Sequence, residues 1–443
     1  MTEQIENAFP LSASTPRESG ARDPFIPSGR RRALVFVVVA LLLSITVIQA
    51  WIRASHSNAD WIVYWTAATQ FQQSGDPYNV RGSSNDYYIY PPLFALLLRP
   101  LGALRAENAV VVWDVLGILM LFGCYFEWRR IYSAMRSDRP PMWLFLAAVY
   151  VTADPVIATL QGGQANIPNL YLTLLGIRLV LVSDQTWLWI AGGLVLALPA
   201  AIKLSPGLVG AVLVVQLLAA RPGGAVADAR KRGAALALGL GVGATLWLLA
   251  IPSLIVGWHR NIEFLGSFFD HVVFSRVNMH WLSKTNQGIV RVVAQWALVA
   301  GGWLNVEIGR RIVVAVTTVV ALAYGIPVLY AMQRLVRRGR LLDHVVVCGL
   351  AAAASLFYSP LAWHHHYVMA MPFIASAPLW LIDAGRQRAA QWLTAGTMGA
   401  FLLQSLLAEM HFAAAPTLAP CFALCVVTFA VIVARPTRSE FTR

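Results

Sequence analysis

Asp60 opens the run Asp60-Trp-Ile-Val-Tyr64-Trp65, a carboxylate at helical spacing from a phenol. A carboxylate at the edge of an apolar run is partly desolvated, and desolvation makes it a stronger base. The competing reading is a solvated loop residue. The same stretch, 58–92, continues through Asp76-Pro77-Tyr78 to Tyr87-Tyr88-Ile89-Tyr90-Pro91-Pro92. That is more aromatic than a passive connection requires. Asp154-Pro155 places a second carboxylate in an apolar run. An Asp at the centre of a membrane helix costs roughly 2.5–3.5 kcal/mol. It therefore either faces a cavity or is held by structural hydrogen bonds.

Further candidates follow along the chain. Gln161-Gly-Gly-Gln164-Ala-Asn166 is a polar turn ahead of a helix, suited to sugar hydroxyls and equally to a tight connection. Lys203 is the one cation between two long apolar runs. It either snorkels to the interface or meets a lipid phosphate. The segment 257–311 holds Arg260, Arg276, Asn286 and Gln287 among many polar residues and is too long to be a passive connection. Its arginines suit forked phosphate contacts. Trp363-His364-His365-His366 looks like a metal cluster, but successive helical residues point in different directions. No metal or other cofactor is expected, and a His here instead pairs with a carboxylate or a phosphate oxygen. No nucleotide-binding loop or soluble domain is present, so an activated donor would come from the membrane.

The setting for these residues is apolar. Of 443 residues 58% are hydrophobic and 12% charged, with a mean hydropathy of +0.61. Soluble domains carry roughly 25% charged residues. The expected class is an all-α integral membrane protein. The net charge of +13 falls in clusters between apolar runs, which argues for topology rather than nucleic-acid binding. Cys124, Cys348, Cys421 and Cys425 all lie in apolar runs, so no disulfide framework is expected.

Twelve apolar runs read as spans, near 33–53, 107–128, 142–160, 166–182, 187–202, 205–220, 234–254, 312–333, 343–361, 367–383, 390–409 and 415–434. Residues 1–32 read as a disordered cytoplasmic tail, 33–434 as one transmembrane domain and 435–443 as a second tail. The run after Arg30-Arg31-Arg32 reads as a signal anchor rather than a cleaved leader. With both termini cytoplasmic, every strong basic cluster between spans falls on the cytoplasmic side of the plasma or inner membrane. The polar candidates then share the extracytoplasmic face, in a first loop (54–106), the long segment (255–311) and three shorter turns. The Pro-broken stretch 89–104 reads as a re-entrant or interfacial helix. No internal repeat of the kind transporters carry is visible.

The chain resembles the glycosyltransferase family 87 branch of the GT-C membrane glycosyltransferases. The resemblance rests on Asp60-x-x-x-Tyr64-x-x-Ala67 with Gly75-Asp76-Pro77-Tyr78, Tyr90-Pro91-Pro92, Gln164-x-Asn166, Lys203-x-x-Pro206, Asn286-Gln287 and Ser359-Pro360-Leu361-Ala362-Trp363-His364-His365-His366. It spans about residues 55–370. It implies a GT-C-type fold, a polyprenyl-phosphate sugar donor, mannose above all, and inverting transfer to a lipid or glycan on the outer face. It implies Asp60 as catalytic base and carries the family's His-His element onto His365 and His366. Ala362 and His364 depart from the pattern of mannolipid-forming members, which leaves the acceptor open; relatives that transfer arabinofuranose leave the sugar open.

The expected mechanism has Asp60 as general base, with one of His365 or His366 orienting the acceptor hydroxyl. Lys203, with Arg260 or Arg276, meets the leaving phosphate. Tyr64, Asp76, Tyr78, Tyr90, Asp154, Gln164, Asn166, Asn286, Gln287, Trp363 and His364 form the expected substrate walls. The chain is expected to work as a monomer. A protein or polymer mannosyltransferase, a flippase or other transporter of lipid-linked sugar, and a non-catalytic lipid-binding subunit stay open as alternatives.

Overall fold

A computed structural model of the protein describes residues 41, 44–45, 47–52, 55–56, 60–73, 75–78, 88–135, 148–220, 226, 228–269, 288, 306–359, 362–409 and 418–435. The chain divides into two compact units, Met1–Ser44 and Ile45–Arg443. Of the first only Leu41 and Ser44 are described, both helical. Everything else described belongs to the second. No strand occurs among the described residues.

Two short helices flank the first aromatic stretch, α1 (Asp60–Gln73) and α2 (Pro92–Gly102), the second with Pro at its first position, where the missing N–H is no loss. Then come α3 (Ala106–Met135), α4 (Ala153–Gln161), α5 (Asn166–Leu181), α6 (Thr186–Ile202) and α7 (Gly207–Leu218). Next is α8 (Ala229–Ala244), which continues through a π-helical turn, Thr245–Ala250, into Ile251–Val256. After α9 (Trp258–Phe268) the remaining elements are α10 (Val306–Arg338), α11 (Leu341–Tyr358), a 3₁₀ segment (His364–Ala370), α12 (Met371–Asp383), α13 (Gln387–Glu409) and α14 (Leu418–Ala434).

Four helical stretches are long and apolar enough to cross a membrane: Ala106–Met135, Ala229–Val256, Ala315–Arg338 and Leu341–Tyr358. At 1.5 Å per residue, the 30 residues of α3 exceed a hydrocarbon core of about 30 Å. Its exposed large side chains include Val112, Val115, Leu119, Phe122 and Phe126, one stripe at three- and four-residue steps. α10 exposes Val319, Leu322, Ile326 and Leu329 in the same way. Such stripes cost heavily in water and nothing in lipid. α11 is the opposite case, buried continuously from Leu342 to Phe357 at the centre of the protein.

Helix contacts follow residue size. Gly193 and Gly239 let α6 and α8 meet backbone to backbone; a Cβ on Gly239 would lie 2.2 Å from Ile190 O. α3 and α5 run parallel, since Gly123 meets Tyr171 and, farther along both helices, Glu127 pairs with Arg178. The expected third span, 142–160, is not one unbroken helix. The chain turns at Thr152, and Asp154 falls in the first turn of α4 rather than mid-helix. There the helix dipole favours its charge.

Ionic contacts gather at the C-terminal end of α3 and α5. Glu127 pairs with Arg130 and Arg178. Buried Arg232, from the first turn of α8, donates to Val180 O at 2.9 Å and Leu181 O at 3.3 Å, carbonyls that the end of α5 leaves without helical partners. It also reaches Ser183 O and Asp184 and lies 4.7 Å from the Trp189 ring. Arg232→Ala removes this cap and should cost about 3 kcal/mol, read as a lower thermal-inactivation midpoint in detergent.

Candidate active site

The site begins at a turn. After α4 the chain reverses through Gly162 and Gly163, and Gly163 takes φ +65°, the left-handed region. Two indole-bearing residues fix this turn: Trp61 N donates to Gly162 O at 3.0 Å, and Trp113 Nε1 donates to Gly163 O at 2.9 Å. A Cβ on Gly163 would stand 2.7 Å from Trp61 Cβ. Trp61 and Trp65, one helical turn apart, also tie α1 down by donating from their indoles to Ala106 O and Leu104 O. The N-terminus of α1 is thereby docked on the turn, and Asp60 with it. Gly163→Ala combines strained backbone with this clash and should lower activity at least tenfold, with a stability loss of about 1–3 kcal/mol, measured on purified protein by turnover and thermal midpoint.

Gln164 follows the turn, buried, and is the hub of a polar network. Its Nε2 donates to Asp60 Oδ2 at 2.5 Å, while its Oε1 accepts from Tyr64 OH at 2.8 Å and Tyr90 OH at 3.5 Å. The two phenols lie 2.8 Å apart. Burial above all, then the charges of Tyr90 and Asp60, push the Tyr64 hydroxyl well above its ordinary range, so it stays a neutral donor. Asp60 itself is exposed. The desolvation expected for it is therefore not supplied by the protein around it.

Asn166, two residues on and at the start of α5, serves the other half of the site. Its Oδ1 accepts from Lys203 Nζ at 3.1 Å, and its Nδ2 donates to His365 O at 3.3 Å. Thr159 Oγ1 donates to the same carbonyl at 3.1 Å, a contact the sequence reading missed. Lys203 stands at the C-terminal end of α6 in extended backbone, with Nζ 2.6 Å from His366 Nε2 and 5.9 Å from the centre of the Tyr90 ring. Burial lowers its affinity for a proton, only partly offset by the charge of Asp60, and brings its pKa down to about 7.

The three histidines occupy one 3₁₀ turn and diverge. His366 faces Lys203. His365 stacks on Trp363 at 5.9 Å, and its buried Nε2 has no hydrogen-bond partner among the described residues. Burial, then the charges of His364 and Lys203, hold its pKa well below the ordinary imidazole value, so it acts as a neutral ring. His364 is also lowered by burial, against the pull of Asp154 and Asp60. Among the described residues no three His, Cys, Asp or Glu converge in a way that could hold a metal ion.

Lys203 and His366 lie on the lining of a cavity of about 350 Å³, within the roughly 300–1,000 Å³ usual for small-molecule sites. The walls are chiefly apolar: Ile89, Ile202, Leu208, Phe268, Tyr358 and Trp363. Tyr90 joins this lining to the Asp60 network. Thus Asp60, Tyr64, Tyr90, Gln164, Asn166, Lys203, Trp363, His365 and His366 come together, with Asp154 and His364 beside them. Asp76 instead shapes its own turn, accepting from Tyr78 N at 2.9 Å, while Tyr78 OH donates to Tyr90 O. Arg260 lies against the Gly75 turn and the Phe264 ring. Neither Asp76 nor Arg260 lines the cavity. Arg276, Asn286, Gln287, Pro360 and Leu361 lie outside the described residues.

Fold and site together define a helical membrane protein with a carboxylate and a cation joined by one short turn beside an apolar cavity. The model of glycosyltransferase family 87 matches residues 88–360, well over half of the chain, and the chain belongs to that family. Asp60 and the His run flank the matched residues. Similar proteins include the polyprenol-phosphate-mannose-dependent alpha-(1-2)-phosphatidylinositol pentamannoside mannosyltransferase of Mycobacterium tuberculosis, 22% identical over 84% of this chain and 77% of that protein. The protein of the same name from Mycolicibacterium smegmatis is 24% identical over 85% of this chain and 84% of its own. Among solved structures, ArnT from Cupriavidus metallidurans bound to undecaprenyl phosphate superposes with a TM-score of 0.45 at 17% identity, covering 92% of this chain and 77% of that one.

Proposed function

We propose that this glycosyltransferase moves a sugar, mannose first among candidates, from a polyprenyl phosphate to a lipid or glycan acceptor with inversion at the anomeric carbon. The observation that carries the reading is the Gln164–Asn166 stretch. It holds Asp60 through one side chain and Lys203 through the other, and Lys203 opens onto the apolar cavity. Asp60 takes the acceptor's proton, Lys203 meets the donor phosphate, and the apolar walls receive the prenyl chain. Tyr64, Tyr90 and the imidazole of His365 offer hydrogen bonds to sugar hydroxyls. The named relatives use polyprenol-phosphate mannose, which supports the donor class and the sugar.

The site lies at the N-terminal end of α5, and Arg178 and Arg232 lie at its other end. Basic residues favour the cytoplasmic side. That supports an extracytoplasmic site in the twelve-span arrangement, with α1 and α2 in the first outer loop and both termini inside. The test is to incubate purified protein with labelled polyprenyl-phosphate mannose and membrane lipids. Release of polyprenyl phosphate together with a glycosylated lipid is expected. Movement of intact donor between leaflets without release would overturn the reading in favour of a transporter.

A further inference from the structure

We infer that Lys203 is a proton donor to the departing phosphate, and that His366 is the positioning residue that sets how readily it gives that proton up. The inference rests on the polyprenyl-phosphate reading above and assigns His366 to the donor side of the site rather than to the acceptor.

The geometry separates the two histidines. His366 Nε2 lies 2.6 Å from Lys203 Nζ, and both residues line the cavity. His365 is not on that lining. A buried ammonium held by two neutral acceptors, the Asn166 carbonyl and an imidazole nitrogen, is poorly compensated. An anion entering the cavity supplies what is missing. The charge that must be met then changes during the reaction. The donor is a phosphodiester with one negative charge. Its product is a monoester that would carry two, in a largely apolar chamber where a second charge is costly. Pairing alone and proton transfer leave lysine and phosphate with the same net single negative charge, but transfer replaces an ammonium and a dianion by a neutral amine and a monoanion, so fewer charges are held in the apolar chamber.

The step balances as follows. A lone pair of the acceptor oxygen attacks the anomeric carbon, and the anomeric carbon–oxygen bond breaks with its electron pair left on the phosphate. The acceptor's proton goes to Asp60. A proton of the Lys203 ammonium goes to a phosphate oxygen, giving a singly charged polyprenyl hydrogen phosphate and a neutral amine. When that product leaves, Asp60 returns its proton to water and Lys203 takes one up. Among the described residues the titratable groups facing Lys203 are Asp60 from α1, Tyr90 ahead of α2, His365 and His366 from the 3₁₀ segment, and Tyr358 from α11 across the cavity. α9 contributes Phe268.

Lys203→Arg tests the step, because a guanidinium keeps its charge but does not release a proton in this pH range. With polyprenyl-phosphate mannose as probe, donor binding should stay within about threefold while turnover at saturating donor falls about 10²-fold or more. His366→Gln should leave binding in place and move the alkaline limb of kcat to lower pH, since an amide oxygen holds the ammonium less strongly than an imidazole nitrogen. A merely structural His366 would lower kcat equally at every pH. Turnover of Lys203→Arg within threefold of the unsubstituted protein, or an alkaline limb unmoved in His366→Gln, overturns the inference and leaves the donor assignment standing. Failure of the unsubstituted protein to bind the donor overturns the assignment itself.

Discussion

Asp60→Asn should lower turnover about 10²–10⁴-fold, the usual contribution of a positioned base, with the fold intact and donor binding intact at pH values where Lys203 remains charged. The substitution is isosteric, and its carbonyl can still accept from Gln164 Nε2. Asp60 is exposed, so no buried charge is lost, and the backbone bond from Trp61 N to Gly162 O still docks α1. The loss should therefore appear in single-turnover sugar transfer and not in the thermal midpoint. A second readout comes from Lys203. The Asp60 charge raises the proton affinity of that lysine. Without it Lys203 is neutral over more of the pH range, and donor affinity should begin to fall at a lower pH than in the unsubstituted protein. Turnover of Asp60→Asn within tenfold of normal would remove the carboxylate from the mechanism.

Lys203→Met should weaken donor binding about 10- to 150-fold, the loss of a charge-assisted hydrogen bond worth roughly 1.5–3 kcal/mol. Methionine keeps the length and apolar body of the side chain, so the cavity keeps its shape. The sign of the pH dependence follows from burial. Lys203 has its pKa lowered to about 7 in the empty site, so it is charged below that pH and neutral above it. Affinity for the diester should fall as pH rises through about 7 and become flat in Lys203→Met. The diester carries a constant charge over this range, so the slope belongs to the protein. Trp363, on the cavity wall, offers a fluorescence signal for the titration. A slope that survives in Lys203→Met would assign the titration to another group.

The candidate residues were legible one by one. A carboxylate, a lone lysine and a His run are conspicuous in an apolar chain because burying them is costly, and the family resemblance assigned them roles. Their joining was not legible. Gln164 and Asp60 are 104 residues apart and Lys203 and His366 are 163 apart, and no local spacing encodes either contact. The turn at 161–166 was seen as polar, but its division of labour, Gln164 to the acid and Asn166 to the cation, emerges only when α1 and the 3₁₀ segment pack on it. The exposure of Asp60 on the protein was not legible either. Apolar neighbours in sequence face inward along α1 while the residue heading the helix faces out. Asp114 was passed over within the expected second span, although it is buried with neither carboxylate oxygen hydrogen-bonded among the described residues.

The carbonyl of His365 accepts from both Thr159 and Asn166. The main chain at this position is thus stitched to the α4–α5 turn by atoms that every amino acid possesses. The imidazole takes no part in that stitching. The ring is held separately, buried against Trp363 and His366, so a change of side chain at 365 leaves the main chain anchored while disturbing the packing of both neighbours. A substitution at 365 should therefore act through the packing of the site, by way of Trp363 and His366, and not through the course of the main chain.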